Sequence, residues 1–388
     1  MTARPNGWVL TRFGEVAHVS HGWPFKSPEY STDAQDPVVV SIGNFDYTGG
    51  FRFDRSTIKH YAGAFPGEFT LSAGDLLLVM TCQTEGGEIL GVPGVVPDDG
   101  RIYLHNQRIG RVHIDRPDLL DARFAFHLAR WDEFNRQLAV TATGSKILHT
   151  SPARIAATTF ASPPLVEQRA IAEVLGALDD KIAANTRVAQ RARKLAEAEF
   201  VALSSMRTER STVGAIMKLE YGKALPTNQR TSGGVDVFGS GGVVGSHDKA
   251  LVSAPGVVIG RKGTAGAVHW APRAFFPIDT TFYVVPRSES ISAIFCYFTL
   301  RSLKLAERNS DSAVPGLNRA EAESTPIMLP PVDALTGFTE NATALFDLAT
   351  QADSASATLA AIRDALLPAL MSGSLRVRDV ERAVEQTV

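Results

Sequence analysis

Arg261-Lys262-Gly263-Thr264-Ala265-Gly266 sets two cations and a hydroxyl on a glycine-containing turn. That arrangement suits a phosphate oxygen, and equally a solvated hairpin. Just upstream, FGSGGVVGSHDK at 238–249 is also glycine-rich. It lacks the GxxxxGK stretch of a phosphate loop and misses the GxGxxG spacing, so it reads as a turn that brings backbone close to another group. His18 and His21, His105 and His149, and the acidic pairs Asp98/Asp99 and Asp179/Asp180 have no spacing that closes a metal site. No nucleophile-elbow pattern joins a Ser or Cys to a His, and neither a nuclease cluster nor an ATPase signature is present. A binding subunit is favoured over an enzyme on this reading.

SPPL at 162–165 approaches the short proline-containing motif of amino-group methyltransferases. Leu165 stands where an aromatic residue would stack on a flipped base, and no glycine-rich cofactor loop precedes it. The start of a helix explains the prolines better. Composition narrows the class further. The 388 residues are 44% hydrophobic and 21% charged, which fits a folded protein of two or three domains. Two cysteines, Cys82 and Cys296, suit a reducing compartment. The N-terminal MTARPNGWVLTRFG has no apolar signal core and no run is long enough to span a bilayer, so a cytoplasmic protein without membrane contact is expected. A net charge of -2 argues against binding nucleic acid by bulk attraction alone, although Lys223–Trp270 carries five basic and two acidic residues.

These residues need elements to hold them. Residues 1–160 mix short apolar runs such as PVVVSIG and GDLLLVM with Gly, Pro and Asp, a strand-and-turn pattern. After Pro163-Pro164 the period becomes helical: Ile171, Leu175, Leu178 and Ile182 share a face, and Val188, Ala192, Leu195 and Leu203 are the expected buried positions beyond. The pattern lasts to about Met206, roughly 42 residues, a rod on the order of 60 Å long. A second glycine-rich, strand-like segment follows. Pro330-Pro331 then opens another helical run, with Phe338, Leu345, Leu348, Ala352, Leu359, Ile362, Leu366 and Leu370 at spacings of three, four or seven, ending near Ser372–Ser374.

The proline pairs lie 167 residues apart, and the segments before them match. GDLLLVMTCQTEGG at 74–87 parallels PGVVIGRKGTAGAV at 255–268, and TGSKILHTSPARIAATTFASPP at 143–164 parallels VPGLNRAEAESTPIMLPP at 314–331. An internal duplication of a strand-rich module and a long helix is read from this. The fold expected is α+β: two strand-rich domains separated by two long antiparallel helices, with an internal pseudo-two-fold repeat. Two compact domains whose helices pack only on their own sheets are the alternative. The boundaries read are 1–160 and 208–329 for the modules, 161–207 and 330–373 for the helices, and 374–388 for a C-terminal tail.

The residues 143–182, TGSKILHTSPARIAATTFASPPLVEQRAIAEVLGALDDKI, resemble the junction between a target-recognition domain and its conserved helix in the specificity subunit of type I restriction-modification systems. The elements that carry it are Gly144 and Leu148, Pro163-Pro164, Glu167-Gln168-Arg169, and the period Ile171, Leu175, Asp179, Ile182. Gly316-Leu317-Asn318-Arg319 and Pro330-Pro331 repeat it, while Val332-Asp333-Ala334-Leu335 departs from LVEQ. The resemblance implies a subunit that makes no bond itself and binds no cofactor. It would recognise a bipartite, asymmetric sequence in double-stranded DNA. It would recruit two modification subunits, which methylate adenine from S-adenosylmethionine, and restriction subunits, which use ATP and Mg2+. A structural adaptor without sequence preference, or an enzyme with a dispersed active site, are the competing readings.

On that resemblance, base-reading side chains with paired donors and acceptors belong on loops able to enter a groove. Gln83, Thr84, Gln107 and Arg108 are expected to do this in the first module, with Lys146 on phosphate. Asn228, Gln229, Arg230, Arg261, Lys262 and Thr264 are expected in the second. Glu167, Gln168 and Arg169 are expected either at a partner interface or in securing the start of the helix. The helices differ in charge: 165–206 holds six acidic and six basic residues, 333–370 five acidic and one basic.

Overall fold

The computed structural model describes residues 5, 7–51, 53, 57–84, 86–206, 208–308 and 316–378. Glu85, Val314-Pro315 and the tail beyond Arg378 lie outside them. The chain divides into two compact units, Met1–Lys181 with Thr358–Val388, and Ile182–Ala357.

In the first unit, a four-stranded antiparallel sheet runs in the order Ala17–His21, Ile109–Ile114, Leu76–Val79, Pro93–Val95. A five-stranded sheet has the parallel pair Val38–Val40 and Tyr103–His105 near its middle. The strand Val9–Arg12 pairs with Thr159–Ser162, the strand that leads into Pro163. Behind the four-stranded sheet lie the helices Ala122–Arg130 and Asp132–Thr141. Their Phe124, Leu128, Phe134 and Leu138 share one core with Phe13, Ile155 and Phe160.

The second unit repeats the plan. Its four-stranded sheet runs Met217–Tyr221, Thr281–Pro286, Gly256–Gly260, Val268–Ala271, the same connectivity in the same antiparallel sense. A three-stranded sheet again contains one parallel pair, Val235–Gly239 with Phe275–Pro277. Glu209–Thr212 pairs with Pro326–Leu329, the strand that leads into Pro330. Single hydrogen bonds fix the correspondence: the Met80 amide donates to the Arg108 carbonyl as the Arg261 amide does to the Thr280 carbonyl, both at 2.9 Å. The first strand of each sheet ends at a glycine for one shared reason. A Cβ on Gly22 would lie 2.3 Å from the His105 carbonyl oxygen, and on Gly222 2.1 Å from that of Ile278, so only glycine lets the backbones cross there.

Both proline pairs open a long helix, Leu165–Ser204 of 40 residues and Val332–Ser372 of 41. Within the first unit, Ile171, Ala172 and Leu175 of the former pack with Leu367, Leu370 and Met371 of the latter. Within the second, Ala189 and Ala192 face Ala349 and Ala352, and Phe200 meets Phe338 at 5.9 Å. The residue numbers run in opposite directions in each unit, so the helices are antiparallel. The second helix ends at Gly373, whose φ of +72° turns the chain at little cost.

The contact face agrees with the one read by period at Ala192 and Leu203 and departs from it at other positions. Val188 is 41% exposed, Leu195 51% and Leu348 46%, while Ile362 also faces solvent. The buried positions are Ala189, Ala192, Ala196, Phe200 and Leu203. Their spacing is helical, but the seam through the middle uses alanine. Small side chains let two backbones approach closely, and the larger aliphatic neighbours then fall outside the contact.

Candidate nucleic-acid interface

The first unit has an open cleft of about 930 Å³ lined by Gln83, Gln107 and Arg108 together with Ser41, Lys59 and Tyr30. The turn Asn106–Arg108 joins Tyr103–His105 to Ile109–Ile114. Asn106 Oδ1 accepts the Arg108 amide at 3.0 Å, and the Gln107 amide donates to the Trp23 carbonyl at 3.1 Å. This Asx-type closure uses the backbone donors and leaves the Gln107 and Arg108 side chains exposed. Burial raises the Tyr30 phenol above its ordinary range, and the positive charge of Arg108 works against that shift, so the two groups are neighbours.

Gln83 follows the strand Thr81–Cys82 and is exposed at the cleft. Thr84 turns elsewhere: its hydroxyl donates to Glu88, a bond that holds the Glu88 carboxyl below its ordinary range. Lys146 is exposed on the bend before Leu148–His149, which pairs with Thr81–Cys82 so that Leu148 is opposite Cys82. The bend therefore sits at the end of the ladder from which Gln83 emerges. Lys59 and Ser41 escaped the sequence reading because they come from separate short segments with no motif of their own.

In the second unit, Asn228 and Gln229 are exposed on the turn Thr227–Gln229. Arg230 is tied inward, donating from Nη1 to the Val244 carbonyl at 2.8 Å and from Nε to that of Leu225 at 3.4 Å. Lys262 and Thr264 are exposed on the turn after Gly256–Gly260. Arg261 is half-buried, with Nε and Nη2 both donating to the Asp279 carbonyl.

At the start of the first long helix the three polar residues have internal partners. Gln168 is fully buried: its Oε1 accepts the Asp121 amide at 2.9 Å, and its Nε2 donates to the Leu119 and Pro163 carbonyls and to Ser162 Oγ. Glu167 accepts from Arg376 and from the Trp8 indole. Arg169 lies 3.6 Å from Asp121 with its side chain 57% exposed. Replacing Gln168 by Ala is expected to cost about 3 kcal/mol, because the Asp121 amide and the carbonyls it served are left buried and unpaired. Urea unfolding of the full chain, followed by tryptophan fluorescence, would read the loss; an unchanged midpoint would contradict it.

Among the described residues no group of three or more His, Cys, Asp or Glu side chains could hold a metal ion. No described helix is long and apolar enough to cross a membrane. Cys82 and Cys296 are buried and free, and burial pushes the Cys296 thiol up to about 12. The exposed polar groups lie on turns beside the strands of two equivalent sheets.

No family model matches the chain. It is 25% identical over 183 residues to the specificity subunit of the type I restriction enzyme MjaVIII from Methanocaldococcus jannaschii, a match covering 46% of this chain and 41% of that relative. The crystal structure of a type I restriction-modification system S subunit from M. genitalium superposes with a TM-score of 0.66 at 16% identity, over 96% of this chain and 97% of that one. The chain has the fold of type I specificity subunits. A second such structure, the HsdS subunit from Thermoanaerobacter tengcongensis, is 21% identical over 96% of this chain and 98% of that one, at a TM-score of 0.37, too low to inform the fold. The specificity-subunit fold accounts for the features read from the junction residues: two strand-rich modules, each ending in a strand, a proline pair and a long helix.

Proposed function

We propose that this chain is the DNA-reading subunit of a type I restriction-modification complex. The observation that carries the reading is the same sheet built twice, with different side chains on its loops. Gln83, Gln107 and Arg108 share a cleft in the first unit, whereas the second offers Asn228, Gln229, Lys262 and Thr264 on exposed turns. Two unlike surfaces suit two unlike half-sites. On this reading the recognition domains are 1–160 and 208–329, the helices 161–207 and 330–373, and the tail 374–388.

In this reading Gln83, Gln107, Asn228 and Gln229 read base edges, since an amide side chain can donate and accept at once. Arg108, Lys146 and Lys262 contact base or phosphate from the rims, and Thr84, Arg230 and Thr264 shape the loops beside them. Arg169 and the exposed aliphatic residues of the long helices face protein partners, while Glu167 and Gln168 secure the helix start. The chain makes no bond and holds no cofactor. Two modification subunits transfer methyl groups from S-adenosylmethionine to adenine, and restriction subunits consume ATP with Mg2+. The complex works on cellular DNA in the cytoplasm.

Methylome mapping of cells expressing this chain with its partner subunits is expected to reveal one split, asymmetric motif. Exchanging residues 1–160 for the corresponding module of another such subunit should alter one half and leave the other and the gap intact. An unaltered motif after the exchange, or methylation without sequence preference, would refute the proposal.

A further inference from the structure

Three residues distant in sequence meet on one surface of the second unit. Tyr221 ends the strand Met217–Tyr221, Arg261 follows Gly256–Gly260, and Arg319 opens the short helix Arg319–Ser324. The guanidinium carbons of Arg261 and Arg319 lie 5.4 and 5.7 Å from the centre of the Tyr221 ring, within cation–π range. The ring packs on Phe282 at 4.9 Å, yet Tyr221 is 50% exposed. Together these groups line an open cleft of about 430 Å³.

Each guanidinium is tethered through its inner edge. Arg261 donates from Nε and Nη2 to the Asp279 carbonyl at 3.1 and 2.6 Å; Arg319 donates from Nε to Glu323 at 3.1 Å. The outer N–H groups of both have no partner among the described residues. Two acceptor oxygens of the cleft, Asn318 Oδ1 and Glu323 Oε1, are engaged within the chain. Asn318 Oδ1 accepts the amides of Ala320 and Glu321, and Glu323 also accepts the Leu219 amide. Burial would raise the Glu323 carboxyl, but the Leu219 amide and Arg319 hold it below its ordinary range, so it stays charged and engaged. The cleft thus presents the outer donors of two guanidiniums against a single carboxylate, Glu323, whose Oε1 is already engaged. A base edge offers donors as well as acceptors. A phosphate offers acceptors only, and its charge relieves the repulsion between two cations held on one ring.

At the equivalent positions, all among the described residues, the first unit has no such pair of arginines on a ring. The Thr150 amide donates to the Met80 carbonyl at 3.0 Å as the Leu317 amide donates to that of Arg261 at 2.9 Å. By that register Met80 occupies the place of Arg261 and Pro152 that of Arg319, and His21 ends the strand equivalent to the one Tyr221 ends.

We propose that Arg261 and Arg319, stacked on Tyr221, grip a backbone phosphate of the DNA and anchor the second recognition surface without reading sequence. This rests on the DNA-reading function proposed above. Full-length chain in complex with its modification subunits would be titrated with two duplexes, one carrying the mapped motif and one with that motif scrambled, over a range of salt. The double variant Arg261→Gln with Arg319→Gln is expected to bind both duplexes about tenfold more weakly. The slope of log affinity against log salt should fall by about 0.9, the value of one phosphate contact. Tyr221→Leu, which keeps both charges, should weaken binding with the slope retained, and its melting curve together with that of the double variant would show that the fold persists. A relaxed second half-site with an unaltered salt slope would overturn the proposal in favour of base contacts, and unchanged affinity would overturn it outright. Wild-type complex that binds both duplexes alike would instead overturn the DNA-reading function, and the salt slope of the variant would still judge the phosphate contact by itself.

Discussion

Replacing Asp179 by Ala is expected to lower the unfolding free energy of the first unit by about 3 kcal/mol, the cost of leaving buried cations without their counter-ion. Asp179 accepts from Arg130 Nη1 at 2.7 Å and from Arg363 Nη1 at 2.8 Å, joining the first long helix to the helix Ala122–Arg130 and to the second long helix. The two arginine side chains are only 4% and 9% exposed. Burial works against both guanidiniums: it prevails at Arg130, which is pressed below its ordinary range, whereas bonds to Asp179 and Asp364 outweigh it at Arg363. Arg363 keeps Asp364 as a second partner, but among the described residues Arg130 would retain the Thr48 carbonyl at 2.9 Å as its one hydrogen bond, with the Phe126 ring 5.6 Å away. The neighbouring Asp180 is exposed, and Asp180→Ala should stay within about 0.5 kcal/mol of wild type. Trp8, Trp23 and Trp131 belong to the first unit and Trp270 to the second, so urea unfolding followed by fluorescence in a Trp270→Phe background reports the unit concerned. Equal costs for the two alanine variants would remove the ion-pair hub from the account.

Acid is expected to weaken the same unit through two buried histidines. Burial drives His127 down to about 4, with Asp179 opposing and Arg130 and Arg363 reinforcing the shift. Burial likewise drives His105 to about 4, against the raising effect of its bond to the Ile109 carbonyl. The folded chain holds both rings neutral where the unfolded chain takes up protons, so the unfolded state binds more protons between the two pKa values. Stability is therefore full above about pH 6.5 and falls as the pH drops toward 4, by up to about 3 kcal/mol for each ring. His127 Nδ1 has no hydrogen-bond partner among the described residues, and His127→Leu should reduce the slope of stability against pH across that window. An identical slope in the variant would show that the acid sensitivity lies in the carboxylates. His105 directly precedes Asn106, Gln107 and Arg108, so loss of the cleft they line should accompany the same transition.

The features legible in the sequence are those carried by neighbours along the chain. Two residues of proline followed by a 3.6-residue period marked the start of both long helices, and Leu165–Ser204 and Val332–Ser372 begin directly after the paired prolines. The matching segments before those prolines foretold a repeat, which the equal strand orders bear out. Of the positions expected to be buried in the first long helix, Ala192 and Leu203 are, whereas Val188 and Leu195 are exposed, because period alone favours the largest apolar side chains. Val188 and Leu195 satisfy the spacing as well as Ala189 and Ala196 do, and only the presence of the second helix makes small size the deciding property.

For the interface, local chemistry singled out Gln83, Gln107 and Arg108 but carried no sign that they share a cleft with Ser41 and Lys59. Arg261 was conspicuous beside Lys262 and Arg319 belonged to the repeated junction loop, while Tyr221 became notable only as their neighbour in space. Asp179 looked like half of an acidic pair and proved to be the partner of two arginines, one of them nearly two hundred positions away. The sequence by itself determined the repeated strand, proline and helix units, because turn chemistry and helical period act between adjacent residues. The tertiary structure alone decided the alanine seam, the two clefts and the charge hub, because each depends on which distant segments the folded sheets and helices bring within a few ångströms.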